Sequence, residues 1–187
     1  MSLLALRGVA CVRGGRLLFD GLDLLIEPGG AALVTGPNGA GKSSLIRLAA
    51  GLLTAAAGEV ERRGRASLAD EGLALDPKLS LGRALEFWAR LDGSDCAPAM
   101  AAMGLTGLAQ LPVRMLSTGQ RKRAVLARVL ASGAPLWLLD EPANGLDPDG
   151  QARLEAAIAA HRAGGGAILA ASHQPLDLPG AQGVALA

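Results

Sequence analysis

The sequence predicts an α/β fold with a small antiparallel sheet at its start and a helical insertion in its middle. Three observations predict it. Strand-like runs alternate with helix-like runs, as at 31–53 and 135–172, and that alternation marks a parallel sheet. The runs "AALVTG", "PLWLLD" and "GAILAAS" are almost wholly apolar, as strands buried on both faces must be. Between the first and second of them, residues 76–133 carry mostly helix-like patterns.

The elements follow in order. Residues 2–9 and 16–27 read as short strands around "RGG", and "PGG" at 28–30 as a turn. "AALVTG" (31–36) is an apolar strand leading into a glycine-rich loop. "KSSLIRLAAGLL" is then a helix with Leu45, Leu48, Ala49 and Leu52 on one face. The helical region is broken at Gly104, Gly107 and Pro112. "PLWLLD" (135–140) and "GAILAAS" (166–172) read as buried parallel strands flanking the helix "DGQARLEAAIAAHRAG", on whose exposed side His161 is expected. The reading is one domain over residues 1–187, with its helical part at about 76–133.

Half of the 187 residues are hydrophobic but only 2% are aromatic, so Leu, Ala, Val and Ile must build the core. Lys and Arg number 18, Asp and Glu 17, giving a formal charge of +1 and no electrostatic case for nucleic acid. Cys11 and Cys96 are isolated and suggest neither a zinc site nor a disulfide framework, which points to a reducing cytosol. "MSLLALRGVACVRGG" lacks the apolar run of a signal peptide. Residues 96–113 are uncharged, but their prolines and glycines make a poor membrane span.

"GPNGAGKS" is a complete G-x-x-x-x-G-K-[ST] between a predicted strand and a predicted helix. Glycines let backbone N–H groups curl around phosphate oxygens, and the following helix adds the positive end of its dipole. Gly36, Pro37, Asn38, Gly39, Ala40, Gly41, Lys42, Ser43 and Ser44 are therefore expected to hold a nucleotide. Lys42 would reach the β- and γ-phosphates, and the Ser43 hydroxyl would ligate Mg²⁺. An ordinary glycine-rich strand–helix turn is the bland alternative.

"LWLLDEP" ends an apolar strand on two acids. Ligands gather at the carboxyl ends of parallel strands, so Asp140 and Glu141 should face the phosphate loop. Asp140 suits the metal shell, and Glu141 could polarise a water for attack on the γ-phosphate. His173 ends "AILAASH" and could orient that water, although a lone histidine is more often structural. "LSTGQ" (116–120) holds a capping box, Ser117 with Gln120, at the start of a cationic helical run.

These elements together resemble the nucleotide-binding subunits of ATP-binding cassette (ABC) transporters, a P-loop NTPase fold whose nucleotide-binding domain carries a small antiparallel β subdomain and a helical subdomain. The order matches that family: phosphate loop at 36–43, signature at 116–120, acidic strand at 136–141, "NGLD" at 144–147 and a histidine at 173. The resemblance implies Mg-dependent ATP hydrolysis by a head-to-tail homodimer. Each ATP would lie between one subunit's phosphate loop and the other's Ser117, Gly119 and Gln120. It implies Glu141 as catalytic base, Asp147 at the dimer seam and His173 at the γ-phosphate. It also implies integral membrane permease subunits as partners, at the cytoplasmic face of a bacterial inner membrane.

The sequence departs from that pattern in three places. Thr118 stands where the signature usually has glycine. No glutamine lies between Ser43 and Gln110, so the family's Q-loop glutamine is absent, and Asp70 and Glu71 occupy about its place. The chain has no tyrosine to stack on adenine, and Arg13 falls near that position. The short chain, "LPVRMLSTGQRKRAVLARVLASGAPLWLLDEPANGLD" and "ASHQPLDLPGA" resemble the ATP-binding subunits of bacterial cytochrome c maturation (haem-export) systems. Two other readings are a soluble ABC protein acting on ribosomes or DNA, and a small-molecule kinase with the same phosphate loop.

Overall fold

The computed structural model describes residues 1–72 and 74–187. In chain order the elements are β1 (Leu4–Arg13), β2 (Arg16–Ile26), β3 (Ala31–Thr35), α1 (Lys42–Ala50), β4 (Ala57–Arg62), β5 (Ala66–Ala69), α2 (Leu81–Asp92), α3 (Ala97–Ala102), α4 (Thr118–Ala131), β6 (Leu136–Asp140), α5 (Pro148–Ala163), β7 (Ala167–Ala171) and β8 (Gln182–Ala185). Single 3₁₀ turns at Thr106–Leu108 and Val113–Met115 join α3 to α4.

β1 is the middle strand of an antiparallel sheet of order β2-β1-β4. The other sheet is parallel throughout, of order β5-β6-β7-β3-β8. Its side chains alternate between two cores, as the two-residue period of a strand requires. Trp137, Leu139, Ile168 and Ala170 face a core shared with α2, α3, α4 and α5. Leu136, Leu138, Ala167, Leu169 and Ala171 face a second core shared with α1 and the antiparallel sheet. The parallel sheet is thus the middle layer. Its strands are covered on both sides, which is why they read as continuous apolar runs.

The expected helices and central strands are present. β4, β5 and β8 carry no clear strand signal: β4 reads "AGEVER", β5 "ASLA" and β8 "QGVA". Two expectations need correction. Leu52 does not belong to the apolar face of α1, because Gly51 takes a left-handed conformation (φ 76°) and ends the helix. The Gly51 and Leu52 amides then close back on the Leu48 and Arg47 carbonyls, leaving Leu52 64% exposed.

His161 is not on an exposed face. Its ring stacks on Trp137 with centroids 3.8 Å apart and planes at 9°. Burial pushes its pKa down, partly offset by the backbone at Ala167 and Pro135. Gly166 makes room for that ring, since a Cβ there would lie 2.2 Å from imidazole Cε1 and Nε2. Gly166→Ala should therefore expel His161 from its stack and cost about 2 kcal/mol, seen as a melting temperature about 4–8 °C lower. His161→Ala in the same background should recover part of the loss.

Candidate nucleotide site

One row of backbone pairing sets out the site. Val34 of β3, Ala171 of β7 and Asp140 of β6 are register partners across the sheet. The phosphate loop, the segment carrying His173 and the acid pair therefore leave the sheet at one level. The Ser172 amide donates to the Val34 carbonyl at 3.2 Å, and the Glu141 amide to the Ala171 carbonyl at 2.8 Å, which continues that row past the strand ends.

The loop after β3 is shaped by glycines at positive φ: Gly36 at 145°, Gly39 at 85° and Gly41 at 105°. At two of them a larger side chain would also press on neighbouring atoms. A Cβ on Gly36 would lie 2.4 Å from the Leu186 carbonyl oxygen, and one on Gly41 within 3.2 Å of Leu18 and Phe19 of β2. The loop is thereby clamped between β8 and the antiparallel sheet. Lys42 is the first residue of α1, is only 7% exposed, and donates from Nζ to the Gly36 carbonyl at 2.8 Å and the Pro37 carbonyl at 3.1 Å. Its ammonium is thus held across the loop, in front of the first amides of α1, where a helix dipole favours an anion.

Asp140 is 4% exposed, and its Oδ1 has no hydrogen-bond partner. Burial raises its pKa, the Ser43 hydroxyl pulls the other way, Glu141 adds to the rise, and Arg47 and Lys122 oppose it. A buried carboxylate with an orphaned oxygen beside a serine hydroxyl is a poor arrangement for stability. It fits a hard divalent cation, which takes oxygen ligands from carboxylates and hydroxyls while the nucleotide supplies others. Among the described residues no three His, Cys, Asp or Glu side chains gather to hold a metal by themselves.

Glu141 is the only non-glycine residue with positive φ among the described residues, at 47°. A left-handed glutamate costs about 1–2 kcal/mol. That conformation turns its carboxylate to His173, whose Nδ1 lies 2.8 Å from Glu141 Oε2 while its backbone amide donates to the same oxygen at 3.2 Å. The two residues read separately from two strand ends thus form one pair.

The capping box is present in both halves: the Gln120 amide donates to Ser117 Oγ at 3.3 Å, and the Ser117 amide to Gln120 Oε1 at 2.9 Å. Such a cap is worth about 1 kcal/mol. Gly119 has a neighbour within its own chain, since a Cβ there would lie 3.1 Å from the Gly145 carbonyl oxygen. The signature is therefore packed on the "NGLD" turn. Asp147 ends that turn as the N-cap of α5, accepting from the Gly150 amide at 2.8 Å. Among the described residues, no hydrogen bond joins residues 117–120 or Asp147 to the phosphate loop.

Arg13 is exposed at the tip of the β1–β2 hairpin and faces Arg16 across it. Its charge reaches Cys11, a buried thiol beside Ser44 whose pKa burial raises. Asp70 follows β5 and accepts from the Gly72 amide at 2.9 Å. Lys122, which sequence patterning does not single out, reaches the Asp140 carbonyl with Nζ at 3.4 Å.

The ABC transporter family profile matches residues 19–144. A "Cytochrome c biogenesis ATP-binding export protein CcmA" of Sphingopyxis alaskensis is 63% identical over 180 residues, covering 95% of this chain and 93% of that protein. The chain belongs to the ABC transporter family, in its cytochrome c biogenesis ATP-binding export branch. The Zymomonas mobilis protein of the same description is 56% identical, covering 94% of this chain and 80% of its own length. A solved ATP-binding subunit of an ABC transporter shares the fold at 21% identity, with a TM-score of 0.84 over 92% of this chain and 80% of the other. Membership in this family implies that the chain binds a nucleotide.

The buried Asp140 carboxylate has a measurable consequence. Its raised pKa means that at neutral pH the folded state holds a charge it disfavours, so the fold gains stability as pH falls through that pKa towards the unfolded value. Asp140→Asn should therefore raise the melting temperature of the nucleotide-free protein at pH 7, and its stability should lack the gain on acidification that Asp140 gives the parent.

Proposed function

We propose that this chain is the ATP-hydrolysing subunit of a membrane ABC export complex serving cytochrome c biogenesis, with haem handling as its work. The observation that carries the reading is the single row Val34–Ala171–Asp140, from which the phosphate loop, the Glu141–His173 pair and the buried acid all emerge. The narrower assignment to cytochrome c biogenesis and haem rests on kinship with the export proteins of that process. No helix among the described residues is long and apolar enough to cross a membrane. By kinship with export proteins, the chain docks peripherally on integral membrane permease subunits at the cytoplasmic face of the inner membrane.

In this reading the amides of 36–43 and the dipole of α1 hold the phosphates of ATP. Lys42 exchanges its two carbonyl partners for β- and γ-phosphate oxygens. Ser43 and Asp140 would hold Mg²⁺, which would neutralise charge on the triphosphate. Glu141 accepts a proton from the attacking water, and His173 fixes the carboxylate and faces the γ-phosphate. Arg13 stacks its guanidinium on the base.

Ser117, Gly119, Gln120 and Asp147 belong to a second half of the site. In a head-to-tail homodimer the N-terminus of α4 meets the γ-phosphate held by the other subunit. The capping box leaves that function open, because Ser117 Oγ can accept from the Gln120 amide and still donate its own proton outward. The close packing of Gly119 on Gly145 gives the glycine a structural duty besides any approach to phosphate.

Two variants test the division of labour. Glu141→Gln should reduce steady-state hydrolysis at least about 100-fold while ATP still binds and a dimer accumulates in size-exclusion chromatography; unchanged turnover would remove Glu141 from the chemistry. Ser117→Arg should leave ATP affinity of the monomer within about twofold and abolish the ATP-dependent dimer. Hydrolysis surviving that change would return "LSTGQ" to an ordinary helix start.

A further inference from the structure

Three cations follow the signature: Arg121, Lys122 and Arg123. Successive helical residues point about 100° apart, and each finds a different partner. Arg121 donates to the Arg114 carbonyl at 3.0 Å, and Arg123 to the Met103 carbonyl at 3.0 Å, so both tie α4 to its helical neighbours. Lys122 alone turns to the parallel sheet, where Nζ meets the carbonyl of Asp140. Further along α4, Arg128 donates to the Leu68 carbonyl of β5, which fixes the helix along the sheet edge.

What surrounds Lys122 is acidic. Ala69 of β5 is the register partner of Leu139, so the next residues, Asp70 and Asp140, leave adjacent strands about 4.8 Å apart in the sheet plane. Glu71 and Glu141 follow them. The charges of Asp140, Glu71, Glu141 and Asp70 all act on Lys122 and oppose the effect of its burial. Among the described residues Lys122 forms no ion pair within 4.0 Å with any of the four. The ammonium thus meets the backbone of Asp140, a residue whose carboxylate keeps an unpartnered buried oxygen.

We propose that Lys122 is a positioning residue for the nucleotide reaction: its ammonium supplies the positive charge that the acidic sheet edge needs to accept a polyphosphate, and it ties the signature helix to that edge. The proposal rests on the nucleotide site described above. Asp140 and Glu141 leave the sheet at the level of the phosphate loop and repel ATP, and one cation beside Asp140 relieves that repulsion at a distance where Coulomb terms still count. Free ATP carries about twice the negative charge of its magnesium complex. Loss of Lys122 should therefore weaken metal-free ATP more than MgATP, by about fourfold against about twofold. The link to α4 also gives the acid edge and the signature a common lever.

The test is isothermal titration of ATP into the parent, Lys122→Met and Lys122→Arg, in EDTA and in excess Mg²⁺, with a melting curve for each protein. The expected result is the unequal loss in Lys122→Met and near-parental affinities in Lys122→Arg. Equal losses with and without metal, no loss at all, or failure of Lys122→Arg to restore the metal-free affinity would overturn the proposal. Equal losses with a lowered melting temperature would make Lys122 structural only. A parent protein that binds no ATP in either condition would overturn the nucleotide site itself and this inference with it.

Discussion

The backbone hydrogen bonds of β7 on its two sides, to β3 and to β6, fix the level at which everything chemical leaves the sheet. Parallel strands place all their carboxyl ends on one side, but they do not by themselves align those ends. Here the register does so: Val34, Ala171 and Asp140 share a row, and the amides of Ser172 and Glu141 extend it by one step on each side. A slip of one residue in either pairing would turn a strand's side chains to the opposite core. It would also move Asp140 away from Ser43, or Glu141 away from His173. The alternation of Leu136, Leu138 and Trp137, Leu139 between two cores guards against that slip.

Much of what this edge holds is unfavourable to folding. Asp140 is a buried carboxylate with an orphaned oxygen, Glu141 sits in a left-handed conformation, and Lys42 is a nearly buried ammonium satisfied only by loop carbonyls. Each is held there by structure that is favourable elsewhere, chiefly the two apolar cores. Strain and poor solvation gathered at the end of a sheet are the pattern of a site shaped for a ligand. Asp140 and Lys42 would both gain partners from a metal-bound triphosphate.

The central strands were legible in the sequence because burial on both faces leaves a continuous apolar run. The phosphate loop was legible because its glycines and lysine stand at a spacing the chemistry demands. "LSTGQ" was legible as a cap and, through family resemblance, as a signature; that Gly119 packs on Gly145 was not, because the contact joins segments far apart in the chain. The same limit hid Lys122, whose neighbours come from β5 and β6. β4, β5 and β8 leave little trace in the sequence because they are short and lie outermost in their sheets, where pairing on one side selects weakly for apolar side chains. The position of His161 is not legible in the sequence, because helical periodicity carries no sign of a ring stacked on Trp137 above a glycine.

The signature and the phosphate loop are both well formed in one chain, yet they share no hydrogen bond among the described residues. An account in which each completes the other's site in a second copy makes catalysis depend on encounter. The most direct measurement is ATP turnover per subunit as a function of subunit concentration, at saturating MgATP and without membrane partners. The account predicts that turnover per subunit rises with concentration and levels off where the dimer saturates. Turnover per subunit that stays constant down to dilutions where only monomer is present would contradict it.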